Sequence, residues 1–508
     1  MAASLTFDMD HRLDNRILCA PGRLYLIETQ EASVEDSVNS VTPIPQPASI
    51  VPTQAGDSRL AWTPKLAYAG GGLTDYFYLN LDSVLIWPVL AINLKMNTIL
   101  LGIAMAVARA IGCMTDPVAG NLSDNIETRW GRRRPFILLF GVLGGLFIPL
   151  VWTPPSESQM SLFWYTLVIW TLITILYSFF TVPYNALGYE LTSDYDDRTR
   201  VFSWRGYVQI LAAFAAAWVW WFVMRPGFHG ALNGARYLSL IIGLMMMLCA
   251  LWTFLGTREK VKFVRRPRMN ILAAIRLAMK DKAFVMIQAA LLLMLVGMNW
   301  TSSLGIYLQV YYACRGNQQL ASSLSGVGGS VVVIPSLIGM RLAAWISERL
   351  GKRESVLLCI FLTLLSVLSV TWILTPQHPY WVIFNWMVNG MTVPAIIMLF
   401  SSMTADVCDE DQLVTGRRRE GIFSAVNSLV TKIALITGTV LGGAMPALVG
   451  YTNSKIAPTL GQLGHMKALL IVSQLIPIAC AGTFIFFYPI TRQRARETQA
   501  KLQVSVAD

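Results

Sequence analysis

The chain has 508 residues, 55% of them hydrophobic and only 14% charged, with a mean hydropathy of +0.52 and a net charge of +11. A soluble globular protein carries about 25% charged residues, so the composition excludes an ordinary soluble domain and describes a polytopic membrane protein. The basic excess then reads as Lys and Arg gathered in loops on one side of a bilayer, not as a nucleic-acid surface.

Residues 1–62 are polar and irregular, with Pro43, Pro45, Pro47 and Pro52 among acidic and Ser-rich patches. They lack a basic segment followed by an apolar one, so they are expected to form a disordered cytoplasmic tail and not a signal peptide. From residue 65 onward, apolar runs of the length needed to span a bilayer, about 20 residues, alternate with short connections. The runs are 65–93, 97–124, 135–153, 161–189, 201–224, 235–256, 284–312, 322–348, 354–375, 379–405, 420–449 and 464–489. The longest connection, 257–283, carries Arg258, Lys260, Lys262, Arg265, Arg266, Arg268, Arg276, Lys280 and Lys282, and its part 269–280 has the composition of a short interfacial helix. It separates a first half (63–256) from a second (284–489), which a tail (490–508) follows. With both termini cytoplasmic, the inner loops hold about 21 Lys and Arg against about 5 in the outer ones, which fixes that orientation.

An internal repeat supports the division. Arg129-Trp130-Gly131-Arg132-Arg133 follows the second run, and Arg349-Leu350-Gly351-Lys352-Arg353 follows the eighth. The expected architecture is an all-α integral membrane protein, with twelve transmembrane helices in two parallel six-helix halves of the major facilitator kind.

Charged groups inside apolar runs need a reason, because each costs about 2.5–3.5 kcal/mol on insertion scales. The first run holds Asp75, Asn80 and Asp82. Asp75 and Asp82 lie seven residues apart and share a helix face, while Gly70, Gly71 and Gly72 allow a neighbouring helix to approach closely. In the second run Asp116 precedes Pro117, which frees the Cys113 carbonyl from its helical bond. A carboxylate beside a freed carbonyl suits a cation or proton site; the alternative is a salt bridge at a kink. At the end of that run, Asp124 and Arg132, Arg133 and Arg134 read as gating or folding machinery. The fourth run closes on Val182-Pro183-Tyr184-Asn185 and Glu190. Arg205 then lies just inside the fifth, either snorkelling to the interface or pairing with a carboxylate or polar substrate.

Lys432 lies about twelve residues into the eleventh run, near the bilayer centre, and Asp116 is its expected partner. Asp406 and Arg417 belong to the mixed-charge turn before it, a gating salt bridge or a solvated loop. Trp87, Trp300 and Trp386 are candidates for stacking on a sugar ring or for interface anchors. Seven scattered cysteines and four isolated histidines give no disulfide framework and no metal cluster. No nucleophile–base pair or phosphate loop argues for an enzyme.

Three ordered motifs carry a resemblance running from Lys65 to about Tyr451. They are Asp116-Pro117 with Arg-Trp-Gly-Arg-Arg-Arg-Pro, Pro183-Tyr184 through Glu190 to Arg205, and Ala405-Asp406 through Arg417 to Lys432. In these the chain resembles the glycoside–pentoside–hexuronide cation symporters, typified by melibiose permease. The resemblance implies cation binding at Asp116, a nearby role for Lys432 and sugar binding at Arg205. The sugar-binding acid of the first helix aligns within about one residue of Asp75. The expected cation site is therefore Asp116 with Asp75, and the substrate site is Asp75, Asn80, Asn185, Arg205 and Lys432.

Departures are informative. The permease's second acid in this helix is here Gly112, and its Asp and Trp around Val-Pro-Tyr are Thr181 and Asn185. Melibiose is thus unsupported, and H⁺ is favoured over Na⁺ as coupling ion. The expectation is a monomeric symporter of the plasma or inner membrane. It needs no other cofactor, takes a sugar or glycoside, and has the lipid bilayer but no nucleic acid as partner. A lysolipid or other amphiphile as cargo, and a non-transporting receptor or scaffold, are the alternatives.

Overall fold

A computed structural model describes residues 60–507 apart from 127, 193–194, 260–275, 277, 416–419 and 452–456. The expected tail, most of the interfacial helix and Arg417 therefore lie outside the described residues. Among those described, eleven helices are long and apolar enough to cross a membrane. The first helix adds a twelfth: α1 (Trp62–Leu81) runs on as a π-helical segment, Asp82–Asn93. Lys65, Asp75 and Asp82 interrupt its apolar sequence.

The first half continues with α2 (Thr98–Asn125), α3 (Arg134–Phe147, ending in a 3₁₀ turn, Ile148–Trp152), α4 (Gln159–Glu190), α5 (Tyr195–Ala217, followed by Val219–Val223) and α6 (Ala231–Gly256). The second half comprises α7 (Lys282–Asn299, extended by Ser302–Tyr307 and a π segment, Leu308–Ala313), α8 (Gln318–Leu350), α9 (Lys352–Ile373), α10 (Val382–Thr415), α11 (Glu420–Leu448) and α12 (Leu460–Phe486). A polar helix, α13 (Arg492–Ala507), then packs on α10.

Two helices outrun their apolar stretches. α10 continues ten residues past 405 because Val407 and Cys408 bury against the second half's core, with Asp406 paired to Lys352. α5 starts at Tyr195, before the apolar run, because buried Asp197 accepts the Leu60 N–H at 2.7 Å and pairs with Lys65 of α1. Burial opposes the charged form of Asp197. The Lys65 ammonium and the Leu60 N–H overcome it and hold the carboxyl below the usual carboxylate range.

A depressed carboxyl stabilises the fold at pH values above its unfolded pKa, and this stability disappears as pH falls through the folded value. Asp197→Asn is therefore expected to lower stability by about 1–3 kcal/mol at neutral pH, given a pair that is buried but close to the interface. Melting curves of the purified protein at pH 7 and near pH 3 check this; a gap between variant and parent that does not narrow in acid would contradict it.

The two halves repeat one packing scheme. α1 packs on α5 and α6, α2 on α4, and α3 on α4 and α6; α7 packs on α11 and α12, α8 on α10, and α9 on α10 and α12. Every pair recurs six helices later. The turns repeat as well. α1 and α7 both close in π geometry, with Leu94 N–H bonding the Val89 carbonyl at 2.9 Å and Cys314 N–H bonding that of Gln309 at 3.0 Å. Each π segment is followed by a basic residue at positive φ, Lys95 (52°) and Arg315 (50°). Each turn ends in an Asn N-cap, Asn97 and Asn317.

Between the halves, α2 meets α11 and α5 meets α8, contacts related by the same shift of six. A Cβ on Gly102 would come within 2.8 Å of Gly443 Cα, so backbones touch there. The Trp218 ring covers Gly326, and its Nε1 donates to Ser330 Oγ at 2.8 Å. Ile92 and Trp220 enter an apolar cluster with Leu304, Leu308, Leu324 and Val370 of the second half. These contacts lie toward the α1–α2 turn and away from the end that carries Glu190 and Asp406. The halves are joined at that far end.

Candidate functional site

The site lies at mid-depth, where both halves present charge. In the first half the centre is Asp75, 4% exposed. One carboxylate oxygen accepts from Thr181 Oγ1 at 2.8 Å and from the Tyr177 hydroxyl at 3.4 Å. The other accepts from Arg205 Nη2 at 2.8 Å and Gln209 Nε2 at 3.2 Å. Arg205 also donates from Nη1 to Asn185 Oδ1 at 2.6 Å and lies over the Tyr184 ring at 4.9 Å. A Cβ at Gly72 would stand 3.0 Å from Arg205 Cγ, so the glycine makes room for this side chain against α1.

Four donors from α4 and α5 thus converge on one buried carboxylate of α1, which offsets its desolvation. Arg205 pairs inward and does not snorkel. Thr181 and Asn185, the two departures noted in the sequence, both belong to the network. Gln209 and Tyr177 escaped sequence reading, although Gln209 sits one turn beyond Arg205 on the same face. Asn80 stands apart, donating along its own helix to the Tyr76 carbonyl at 2.9 Å.

The second element bridges the halves. Lys432 Nζ of α11 forms an ion pair and hydrogen bond with Asp116 Oδ2 of α2. The side chains are 34% and 21% exposed, the more open of the mid-depth pairs. α2 remains helical through Pro117. A Cβ on Gly112 would be 2.4 Å from Thr174 Cγ2, and the Gly112 carbonyl accepts from Ser178 Oγ at 3.1 Å. A side chain at that position fits only if the Thr174 methyl turns away. Asp75 and Asp116 keep separate basic partners, Arg205 and Lys432.

A third pair was not foreseen: Asp82, 4% exposed, is bound by Arg109 of α2, which also reaches α11. Arg109 sits inside an apolar run seven residues before Asp116, and that spacing was the available signal. Trp300 Nε1 is used by the Ser473 carbonyl at 3.0 Å, Trp386 packs on Gly328, and Trp87 is buried.

The arginine run lies at the end nearer the termini and ties one half together. Arg133 pairs with Asp124 and Glu190, each at 2.9 Å, and Arg132 with Glu190 at 3.2 Å. Arg134 Nε donates to the Phe254 carbonyl at 3.0 Å, with its guanidinium over the Phe254 ring. The start of α3 is capped by Glu259, whose carboxylate accepts the N–H groups of Arg132, Arg133 and Arg134 at 2.9, 2.8 and 3.1 Å. An anion at a helix N-terminus is favoured by the unpaired amides and the dipole.

Gly131, at φ 106°, has Glu259 Oε1 only 2.7 Å from where a Cβ would stand, so both conformation and space demand glycine. The second half repeats the device: Gly351 has φ 115°, Lys352 pairs with Asp406 at 2.7 Å, and Arg353 donates to the Phe486 carbonyl. The expected gating residues that are described therefore brace each half internally.

Two helical halves, joined along one end and carrying paired charges at mid-depth, have the architecture of a membrane carrier. The fold matches the crystal structure of a nucleoside transporter with a TM-score of 0.57, over 84% of this chain and 99% of that one at 13% identity. Residues 71–492 match the family described as MFS/sugar transport protein, and the chain belongs to that family. It is a multi-pass membrane transporter and not an enzyme. It is 22% identical to an isoprimeverose transporter of Lactiplantibacillus pentosus, over 91% of this chain and 94% of the relative. It is 24% identical to a putative glycoside/cation symporter of Escherichia coli strain K12, over 79% of this chain and 86% of the relative.

Proposed function

We propose that the chain couples entry of a sugar or glycoside to a cation, with H⁺ favoured over Na⁺, by alternating access. The observation that carries this reading is the Asp116–Lys432 pair, an acid and a base contributed by opposite halves and partly open at mid-depth. A cation taken up by Asp116 releases Lys432 from its anion. Lys432 is then free to face a substrate oxygen. If both charges must be satisfied before the halves rock, movement of the cation and of the substrate becomes one event.

The neighbouring Arg205, Asn185 and Asp75 supply both donors and acceptors, which suits the adjacent hydroxyls of a sugar ring. The glycine at 112 supports H⁺, because a Na⁺ site with two acids one turn apart cannot form there. With both termini cytoplasmic, as the loop charges favour, the joined end faces outward.

The test is uptake by purified protein in proteoliposomes. Labelled isoprimeverose and a panel of glycosides are offered under separate H⁺ and Na⁺ gradients. Accumulation driven by the H⁺ gradient is expected. Uptake of a lysolipid with no uptake of any sugar would replace the reading, and transport of neither would remove it.

A further inference from the structure

We propose that Arg109 is the latch that holds the joined face of the transporter shut. The contact between α2 and α11 is a ladder with seven-residue spacing on α2. Gly102 touches Gly443, Arg109 reaches Leu435 and Thr439, and Asp116 pairs with Lys432. Residues seven apart lie on one helix face, so the three rungs descend in line from the sealed end to the mid-depth site. The first is a backbone contact and the last is the coupling pair. The middle rung, about 10 Å from Asp116 at 1.5 Å per residue, is a charge with no role in the reading above.

Arg109 divides its guanidinium between the halves. Nη2 binds Asp82 Oδ2 of its own half, and the other Asp82 oxygen is held by the Ser83 N–H at 2.7 Å. Nη1 donates across the seam to the Leu435 carbonyl at 3.2 Å and to Thr439 Oγ1. When the sealed face opens, α2 and α11 separate and the Nη1 bonds must break. The Nη2–Asp82 pair joins α1 to α2 and travels with the first half. Arg109 thus keeps its counter-ion in both states, and only neutral acceptors are exchanged.

This avoids stripping a buried charge at each turn of the cycle, the step that makes broken internal ion pairs expensive. Bonds from a charged donor are stronger than neutral ones, so the two on α11 favour the closed face without locking it. The proposal rests on alternating access but not on the identity of cargo or ion.

The experiment reads opening directly and needs no substrate. Thr98, 5% exposed in the seam, is replaced with Cys, and its modification by a soluble maleimide is followed in detergent or nanodiscs against the same protein lacking that Cys. Adding Thr439→Val, which keeps the side-chain shape and removes the acceptor, is expected to raise the labelling rate about ten-fold, equivalent to about 1.4 kcal/mol. Arg109→Lys keeps the charge beside Asp82 but loses the fork, and is expected to do the same. Unchanged labelling in both variants, with or without a lower melting temperature, would make Arg109 a structural brace and overturn the proposal. Failure of sugar uptake alone would leave it standing.

Discussion

Asp116→Asn is expected to bring gradient-driven accumulation down to the equilibrium level while substrate exchange across the membrane stays measurable. Asn has the size of the acid but cannot take up or release a cation, so the coupling term disappears while the route remains. Lys432 loses its anion in this variant. Because the two side chains are 21% and 34% exposed, water partly compensates, and the cost is about 1–3 kcal/mol, between that of a surface pair and a buried one.

The double variant with Lys432→Gln removes that penalty and should recover protein yield without recovering accumulation. Counterflow and gradient-driven uptake measured on the same vesicles separate the two effects. Full accumulation by Asp116→Asn would end the assignment of coupling to this acid.

Arg205→Lys should raise the KM for substrate by about ten- to one-hundred-fold, the loss of one or two strong bonds at about 1.4 kcal/mol per factor of ten. The guanidinium serves Asn185 and Asp75 through two different nitrogens while its face covers Tyr184. A lysine is a point charge on a flexible stem and cannot hold all three. The maximal rate should change less than KM if this group holds substrate. Both oxygens of Asp75 are already taken by protein donors, so a different outcome is informative. An unchanged KM with a lower melting temperature would make the Asp75–Arg205 network a brace between α1, α4 and α5.

The helices were legible because hydrocarbon thickness sets a minimum apolar length, and each run of that length became a helix. Their ends were less legible. α5 and α10 extend into polar sequence that long-range pairs stabilise, Lys65 with Asp197 and Lys352 with Asp406. The Asp116–Lys432 pair was legible from two opposite charges at similar depth in different apolar runs. Arg109 carried the same kind of signal, but Asp82 lies in a segment whose π geometry changes the register after Leu81, so spacing along the helix did not connect them. The internal repeat was visible in one pentapeptide only. Its other marks are a backbone sign at Lys95 and Arg315, a cap at Asn97 and Asn317, and a carbonyl accepting an arginine at Phe254 and Phe486. Those features constrain conformation more than side-chain identity, so sequence drifts around them.

Glu259 has a mechanical consequence. Its carboxylate is fastened to three amides at the start of α3, and beyond residues 260–275 Ala278 is buried in the second half's core, just before Asp281, the N-cap of α7. The connection between the halves is therefore anchored at both ends, by Glu259 on α3 and by Ala278 in the second half's core. At 3.3–3.6 Å per residue, the chain between these anchors can reach at most about 65 Å. A connection of that length keeps the halves at high effective concentration without its contour limiting their motion. The balance between open and closed forms is left to the seam itself.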